Sequence, residues 1–485
     1  MRKSLTGLIT LVIALLILSP WLIGFFAKAQ LIEQAKMANK QSGPMKLKLV
    51  SFHHGYLGSD FIFKLVPKGK AQRVPSPLSS MVLAGHINQG PIVTHRDSNG
   101  VTRRVLAWYD GTATLTADQA AAGDANIQML QQLVGTQAPV SINLLHPIFG
   151  EQAFDLKTAT FDFKPMGIDA QWNGIQIKAV GNKSAGSSHL QIAPIHFSHL
   201  GMDISFSGLE ATGKYQRKAR GQLQQQVNTT AANISVRHNG VVVFGVNDLS
   251  TTIDAQLSND TLALTVKQQI AKVENNLLTV GPINLDVNVK DLLIKPLREF
   301  SKKIRELEEK YGDDRDALNR NSFNLAKRKL EKVLRHGLSA EVGDFSMQMG
   351  EQGNIKATGK LEVAPIPKDT TFSNLTVLMP YVKYAVHIAV PLQLGQQLML
   401  TQVARETAND PKVKNMTPQE RAEFIQKTAM ARINGLVAMG LIKLDSTNYY
   451  FSMAQPPVNQ APAAAPVAMP VAPGSAPAVA TPATP

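Results

Sequence analysis

The chain has 485 residues, no cysteine, and 50 lysine and arginine residues against 36 aspartate and glutamate residues, which gives a formal net charge of +14 at pH 7. The absence of cysteine excludes disulfide bonds, thiolate metal sites and cysteine nucleophiles. A basic surface favours contact with anionic lipid or other acidic polymers of a cell envelope. The basic residues are scattered and not interleaved with aromatic residues in stripes, so nucleic-acid binding is not predicted.

A long uncharged segment follows the first three residues of the chain. It runs from Ser4 to Ala27, directly after the cations Arg2 and Lys3. As a helix rising ~1.5 Å per residue it would measure about 36 Å, enough to cross a hydrocarbon core of ~30 Å. The segment predicts a single-pass transmembrane anchor within residues 1–29, with residues 5–27 in the lipid bilayer. Because basic flanks stay in the cytoplasm, we expect the body on the opposite side of the membrane.

A cleaved signal peptide is the alternative interpretation of this segment. Ala27-Lys28-Ala29 has the small-x-small form that signal peptidases accept, so cleavage after Ala29 would release the body as a secreted factor. The apolar run is longer than the ~7–15 residues of an ordinary signal peptide, which favours a retained anchor. The lipid-modified cysteine of a lipoprotein is excluded, since the chain has no cysteine.

The body after the anchor is predicted to be mostly β-structure. Gln30 to Gln41 has the composition of a short polar helix that ends at Gly43-Pro44. Beyond it, apolar and polar residues alternate with the period of two that is typical of half-buried strands. The alternating runs are Lys46 to Val50, Phe61 to Val66, Phe154 to Leu156, Thr158 to Phe163, Ile175 to Val180, Met202 to Phe206, Val241 to Phe244, Leu262 to Val266 and Ile283 to Val289. Since turn-forming residues separate most of these runs, an antiparallel meander is favoured over a parallel βαβ sheet.

Helical periodicity interrupts the strands at several points. The predicted helices are Ala117 to Val134, Leu297 to Tyr311, Asp316 to Arg335, Leu392 to Glu406 and Thr417 to Met439. The last of them opens with a capping box formed by Thr417 and Glu420, with Pro418 at the first helical position. A final hairpin is predicted to turn at Asp445 to Asn448. The cluster Lys327-Arg328-Lys329 lies where cations suit the helix dipole, so a structural role is preferred over a binding patch.

These patterns predict an α+β fold: an N-terminal transmembrane helix, a large, mostly antiparallel and curved β-sheet body with an inserted helical hairpin, and C-terminal helices. The segment from Pro456 to Pro485 carries no charge and is rich in proline and alanine, which predicts a disordered tail. The predicted divisions are the anchor at 1–29, a β-rich half at 30–295, the helical hairpin at 296–337, a second β/α half at 338–455 and the tail at 456–485.

No catalytic, cofactor-binding or metal-binding residue is assigned from motifs. Gly208 to Lys214 fits the start of a phosphate-binding loop, but Tyr215 stands where Mg²⁺ coordination needs Ser or Thr. His53 and His54 are adjacent, and His196 and His199 are three apart, so each pair is divided between the two faces of a strand.

A short repeat is more informative than these motifs. Ala211-Thr212-Gly213-Lys214 recurs as Ala357-Thr358-Gly359-Lys360. The recurrence suggests that one strand-and-turn element is used twice, in two related halves.

Four short segments resemble a known family. Phe52 to Ser59 resembles an aromatic-x-Arg-Gly-hydrophobic-x-Ser element, with His54 in place of the Arg. Asn88 to Pro91 resembles a His-Gly-Pro element, with Gln89 in place of the His. Leu278 to Ile283 and Gly440 to Phe451 resemble a central β segment and a Tyr-bearing C-terminal segment. Together they are similar to the YdgA-like family of bacterial inner-membrane proteins of unknown function. The resemblance implies an envelope location, with an N-terminal membrane helix and a large β-rich body, and it supplies no catalytic residues to carry over.

Three functional hypotheses follow from these observations. The first is a non-enzymatic, membrane-anchored envelope protein whose sheet offers an apolar groove or scaffold surface to lipids or to partner proteins. The second is a periplasmic hydrolase or transferase, which needs a concave pocket where histidines and carboxylates meet. The third is the secreted factor that cleavage after Ala29 would produce. No cofactor is expected for any of them.

Overall fold

The computed structural model describes residues 23–39, 45–67, 81–96, 101–118, 128, 135, 138–164, 167–218, 221–276, 278–311, 314–370, 372, 378–408 and 410–454. Most of the predicted anchor, most of the helix predicted at 117–134 and the whole tail at 456–485 lie outside these residues. Over the described part of the chain, no helix is both long enough and apolar enough to cross a membrane.

The body is built on a 24-stranded antiparallel sheet. The strands are β1 Met45–His54, β2 Gly58–Pro67, β3 Met81–Gln89, β4 Ile92–Arg96, β5 Thr102–Ala117, β6 Val140–Pro147, β7 Gln152–Thr158, β8 Phe161–Phe163, β9 Asp169–Trp172, β10 Ile175–Gly181, β11 Ala185–Ile192, β12 Ile195–His199, β13 Met202–Phe206, β14 Leu209–Arg217, β15 Leu223–His238, β16 Val241–Ser258, β17 Thr261–Asn275, β18 Thr279–Val280, β19 Ile283–Leu293, β20 Leu338–Gln348, β21 Asn354–Val363, β22 Val382–Pro391, β23 Ile442–Leu444 and β24 Asn448–Ala454.

The main series of paired strands runs β1–β2–β3–β5–β6–β7–β10–β11–β14–β15–β16–β17–β19–β20–β21–β22–β24–β23. Among the described residues β1 pairs only with β2, and β23 only with β24, so the sheet is open. A short branch, β8–β9–β12–β13, joins the second half of β15 beside β14. The prediction of a mostly antiparallel α+β fold is confirmed.

Tight turns close the two longest hairpins. Asn239 and Gly240 between β15 and β16 both have positive φ, as do Asn259 and Asp260 between β16 and β17. Two-residue turns with positive φ at both positions match the right-handed twist of the flanking strands, and Asn, Asp and Gly adopt this conformation most readily. The turn chemistry therefore fixes the register of the longest strands from local sequence.

The described helices lie at the first strands, between β19 and β20, and at the last strands of the sheet. They are α1 at 23–39, α2 Ile294–Tyr311, α3 Arg315–His336, α4 Leu392–Thr407, α5 Pro411–Lys414 and α6 Pro418–Ala438. The helices predicted at 297–311, 316–335, 392–406 and 417–439 are confirmed within three residues. Of the polar helix predicted at 30–41, residues 30–39 are part of α1, and residues 40 and 41 lie outside the described residues. The domain boundaries stay a prediction, since β19 and β20 pair directly across the α2–α3 hairpin.

The buried cores are confined to the two ends. One core joins α1 to β2, β3 and β5 through residues such as Ala27, Phe61 and Tyr109. Another lies at the foot of α3 around Val363 and Ile366. Of the described apolar residues between Leu145 and Leu325, only Ala231 and Pro296 are buried. The long middle of the sheet therefore has no packed core of its own.

The capping box of α6 gives a stability prediction. Thr417 Oγ1 accepts from the Glu420 amide at 3.3 Å, and Glu420 Oε2 accepts from the Thr417 amide at 2.8 Å. Thr417→Ala should weaken the first turn by about 1 kcal/mol, because one helix N–H loses its partner. Hydrogen exchange of the amides just after Pro418 should accelerate in this variant. Thr401→Ala in the middle of α4 is the matched control. An equal acceleration of exchange just after Pro418 in this control variant would contradict the capping explanation.

Candidate functional site

One face of the sheet carries a continuous row of apolar and small side chains. Directly opposite residues in an antiparallel pair share a face, so the register identifies the members of a row. The row is Ile87, Gly111, Leu144, Phe154, Ala179, Ser188, Gly213, Val227, Ile253, Val266, Val287, Val342, Gly359, Val386 and Met453. It crosses fifteen strands, from β3 to β24, without one ionisable side chain.

Two further rows lie on the same face, since along each regular strand their members are four residues (the first row) or two residues (the second row) from the Ile87 row. One contains Ile175, Ile192, Leu209, Ala231, Leu249, Ile270, Ile283, Met347 and Ile355. The other runs from Phe61 through Ile142, Leu156, Ile177 and Leu190, passes Thr229, Thr251 and Gln268, and continues with Leu285, Phe345 and Ile388. We call the face that bears these three rows the apolar face.

The opposite face is polar. A row on it reads Asp155, Lys178, His189, Thr212, Asn228, Thr252, Lys267, Asp286 and Asp344. Lys267 and Asp286 form a cross-strand ion pair at 3.7 Å on this face. The sheet is therefore two-sided, with water-seeking groups on one side and hydrocarbon on the other.

No layer of described residues covers the apolar face in its middle. Ile253, Val266 and Val287 are only half-buried, and Val227 is 37% exposed. An antiparallel sheet ordinarily packs its apolar face against a second layer of the same domain. A long uncovered apolar surface of this kind marks an interaction site.

The repeated tetrapeptide is explained by these rows. Ala211 and Ala357 belong to the Phe61 row, and Gly213 and Gly359 belong to the Ile87 row. The threonine and lysine of each copy point to the polar face, because neighbours along a strand alternate. The recurrence thus places small residues at equivalent positions of the apolar face in β14 and β21.

The apolar face begins in a chamber beneath α1. This cavity of about 590 Å³ lies between α1, which contributes Leu31 and Ala35, and the first strands of the sheet. Its sheet side is lined by Phe61, Phe63, Leu83, Ile87, Ile142, Leu144 and Phe154. Since Leu144 and Phe154 also belong to the long row, the chamber is continuous with the apolar face.

Polar contacts fix α1 over the chamber at its middle and its end. Tyr109 Oη donates to Gln30 Oε1 at 2.8 Å, and its ring stacks on His146 at 5.1 Å. Burial raises the pKa of Tyr109 to about 12 and lowers the pKa of His146. The side chain of Asn39 exchanges two hydrogen bonds with the backbone of Leu47, at 2.7 and 2.8 Å.

The start of α1 meets both N-terminal family-like segments. The buried Gln89 amide donates to the Gly55 carbonyl at 2.6 Å and accepts from Ser59 Oγ at 3.0 Å. Gly24 of α1 lies so close that a Cβ on it would stand 2.6 Å from the His54 ring and 2.7 Å from Gln89 Oε1. Gln89 is thus a buried connector between the β1–β2 turn and α1. Sequence reasoning missed this role, because it treated Gln89 only as the residue in place of the His in a family-like element.

A second polar cluster lies on the opposite side of the same strands. His95 Nδ1 and Asp110 Oδ1 are 2.7 Å apart, and both side chains are under 10% exposed. Burial raises the pKa of the Asp110 carboxyl, against the hydrogen bonds and charge of His95 and the hydrogen bond of Asn88, which lower it. Asn88 also lies 3.1 Å from His86 Nε2. The pair joins β4, which carries His95, to β5, which carries Asp110, and it does not line the chamber.

The motifs that the sequence suggested have structural explanations. Residues 209–214 form part of β14, so the apparent phosphate loop is a strand and not a turn before a helix. His196 lies 3.7 Å from Asp203, and His199 ends the same strand on the other face. Within the described ranges no three His, Cys, Asp or Glu side chains gather as a metal ion would require.

The pocket that comes nearest to the enzyme hypothesis is a cavity of about 430 Å³ at the base of the α2–α3 hairpin, lined in part by Asp291, His336 and Glu362. Glu362 is paired with Lys360 at 2.6 Å, and this contact lowers the pKa of its carboxyl. A carboxylate held ionised in this way is not poised as a general acid.

These features define a class: an α+β protein built on an open, two-sided antiparallel sheet with a roofed apolar chamber at its first strands. The chain belongs to the family described as "Bacterial protein of unknown function (DUF945)", whose match covers residues 1–454. A bacterial family of unknown function is therefore confirmed, and the narrower YdgA-like assignment stays a prediction. Neither the curated proteins nor the solved structures that were searched contain a match.

The buried phenol gives a pH prediction for α1. The pKa of Tyr109 is raised from 10.0 to about 12, so its stabilising contribution is complete below pH 10 and is lost as the pH rises from about 10 to about 12. Two pKa units correspond to about 2–3 kcal/mol. In Tyr109→Phe, this loss of stability between about pH 10 and about pH 12 should disappear. The measurement is the hydrogen exchange of the α1 amides as a function of pH.

Tyr56→Phe is the matched control, because Tyr56 is 49% exposed. Its alkaline unfolding curve should follow that of the unchanged protein. An unaltered curve for Tyr109→Phe would show that the buried phenol does not link α1 to pH.

Proposed function

We propose that this protein is a membrane-tethered envelope protein that binds lipid acyl chains along the apolar face. The uncovered apolar face carries the proposal. Hydrocarbon placed on it leaves water and covers side chains that the protein itself leaves half-exposed. Each methylene that becomes buried contributes about 0.8 kcal/mol, so one acyl chain gives reversible binding and two chains side by side on the apolar face give stable binding.

The dimensions of the apolar face suit extended lipid chains. Neighbouring strands lie about 4.8 Å apart, so the fourteen steps of the Ile87 row span about 67 Å measured along the sheet. The chamber volume of about 590 Å³ lies in the usual range for small-ligand sites, about 300–1,000 Å³. Acyl chains can therefore enter under α1 and continue over the middle strands.

The place of α1 in the chain supports a membrane source for the ligand. The apolar segment from Ser4 to Ala27 runs directly into α1, which roofs the chamber. Gly24 and Ala27 already pack against the body, so the part of this segment that remains for the membrane ends next to the chamber. An anchor held in the inner membrane would thus keep the chamber close to the lipid headgroups, with the body in the periplasm.

A photo-cross-linking experiment tests the proposal. A benzophenone side chain at Val266, on the apolar face, should cross-link phospholipid in cells and in proteoliposomes. The same side chain at the neighbouring Lys267, on the polar face, is the matched control and should cross-link little lipid. Equal lipid labelling at both positions, or none at either, would overturn the lipid-binding proposal. Labelling of a protein at Val266 instead would favour the partner-binding scaffold.

Charge placed on the apolar face should reduce bound lipid. Ile253→Glu puts a carboxylate into the Ile87 row, and Thr252→Glu puts the same group on the polar face one residue away. Mass spectrometry of lipid co-purified in detergent should show a several-fold loss for Ile253→Glu and no loss for Thr252→Glu. Circular dichroism checks that both variants fold. Unchanged lipid content in a folded Ile253→Glu protein would contradict the assignment.

A further inference from the structure

The α2–α3 hairpin carries a large part of the excess positive charge. Residues 315–336, which form α3, contain seven lysine and arginine residues against two acidic residues, a net charge of 7 − 2 = +5. The whole chain has a net charge of +14. One helix of 22 residues thus holds more than a third of the excess.

The structure divides the Lys327-Arg328-Lys329 cluster between two roles. Lys329 is 9% exposed and pairs with Glu299 of α2, so it joins the two helices of the hairpin. Lys329 is also the main cause of the lowered pKa of Glu299. Lys327 and Arg328 are exposed on the outside. Lys329 therefore has a structural role in the hairpin, and Arg328 Nε donates to the Asn324 carbonyl of the same helix at 3.3 Å. The helix-dipole role expected for the cluster stays a prediction.

Large apolar side chains lie beside these outward cations. Phe323 is 71% exposed and Leu330 is 56% exposed, although the inner side of α3 buries Leu325 and Val333. Positions 320, 323, 327 and 330 follow the three- and four-residue spacing that places them on one face of a helix. The outer face of α3 thus alternates Arg320, Phe323, Lys327 and Leu330.

The foot of the hairpin is held firmly to the body. The Ile366 amide donates to the Arg335 carbonyl at 3.1 Å, and the Arg335 guanidinium donates to the carbonyls of Thr370, at 2.8 Å, and Pro367. Leu334 packs against the core around Val363. The outer face is therefore presented on a fixed support.

We propose that the outer face of α3 docks on an anionic bilayer surface other than the one that holds the N-terminus. Cations interleaved with exposed large apolar side chains are the pattern of helices that lie in a membrane interface, where the cations meet lipid phosphates and the apolar side chains enter the acyl boundary. β19, which leads into the hairpin, is twelve strand spacings from β1, about 58 Å along the sheet. This distance from the anchored end favours a second bilayer.

The absence of cysteine allows a clean test with an environment-sensitive fluorophore. Single variants Phe323→Cys and Leu330→Cys carry the label, and Ser301→Cys on the exposed side of α2 is the matched control. The full-length protein is held in neutral phosphatidylcholine nanodiscs and titrated with separate vesicles. Labels at 323 and 330 should brighten and shift to the blue with phosphatidylglycerol vesicles but not with phosphatidylcholine vesicles, while the label at 301 stays unchanged.

Charge reversal measures the electrostatic contribution to vesicle binding. Each cation near an anionic surface contributes about fivefold to binding, so Arg320→Glu with Lys327→Glu should weaken vesicle binding at least about 25-fold. The pair Lys412→Glu and Lys414→Glu on α5 changes the net charge equally and should have little effect. Added salt should weaken the binding of the unchanged protein.

Several results would overturn the proposal. One is no response to phosphatidylglycerol, and another is an equal response at position 301. Vesicle binding without a spectral change at 323 would assign the membrane contact to another surface of the protein. A response to phosphatidylglycerol placed in the nanodisc itself, without vesicles, would assign the contact to the same bilayer. None of these readouts uses the apolar face, so lipid binding there can fail or succeed separately.

Discussion

The alternation of side chains along antiparallel strands is the constraint on which the rest of the structure depends. Directly paired residues of neighbouring strands lie on the same face of the sheet. Apolar residues therefore line up from strand to strand wherever the register pairs them. From Ile87 to Met453 the register holds across fifteen strands, although bulges interrupt several pairs. The result is one apolar surface assembled from residues that are hundreds of positions apart.

Different parts of this apolar surface are shielded from water to different extents. At the first strands α1 covers it, and at the far end the helices and the core around Val363 provide packing. In the middle the backbone hydrogen bonds of the ladder hold the strands together, while Ile253 and Val266 stay half-exposed. Apolar surface left in water favours association, so an unoccupied middle would be a site for aggregation. A lipid occupant removes that surface from water.

Part of the strands and most of the described helices could be predicted from sequence because their signals are local, whereas long strands such as β5, β15 and β20 were not predicted. Alternation at Ile283 to Val289, the capping box at Thr417 and the turn at Asp445 each depend on residues within a few positions. The apolar face could not be predicted in this way, because its rows depend on register between distant strands. Gly213 and Gly359 show the limit: the sequence revealed that they recur, and only the register revealed that they share a row. The buried polar residues Gln89 and Asp110 could not be predicted for a related reason. Their burial depends on distant parts of the chain: Gly24 of α1 packs against Gln89, and His95 of β4 packs against Asp110.

The α2–α3 hairpin is inserted between two neighbouring strands that both carry the apolar face. Val287 of β19 and Val342 of β20 are direct ladder partners, so the apolar row continues across the point where the hairpin leaves the sheet. The hairpin therefore adds a basic surface at the strand ends without breaking the apolar face. A bilayer docked on Phe323 and Lys327 would lie beside strands that carry the row, about twelve strand spacings from β1 and so away from the chamber under α1. A lipid moving along the face from that chamber would then reach a second headgroup layer without passing through water.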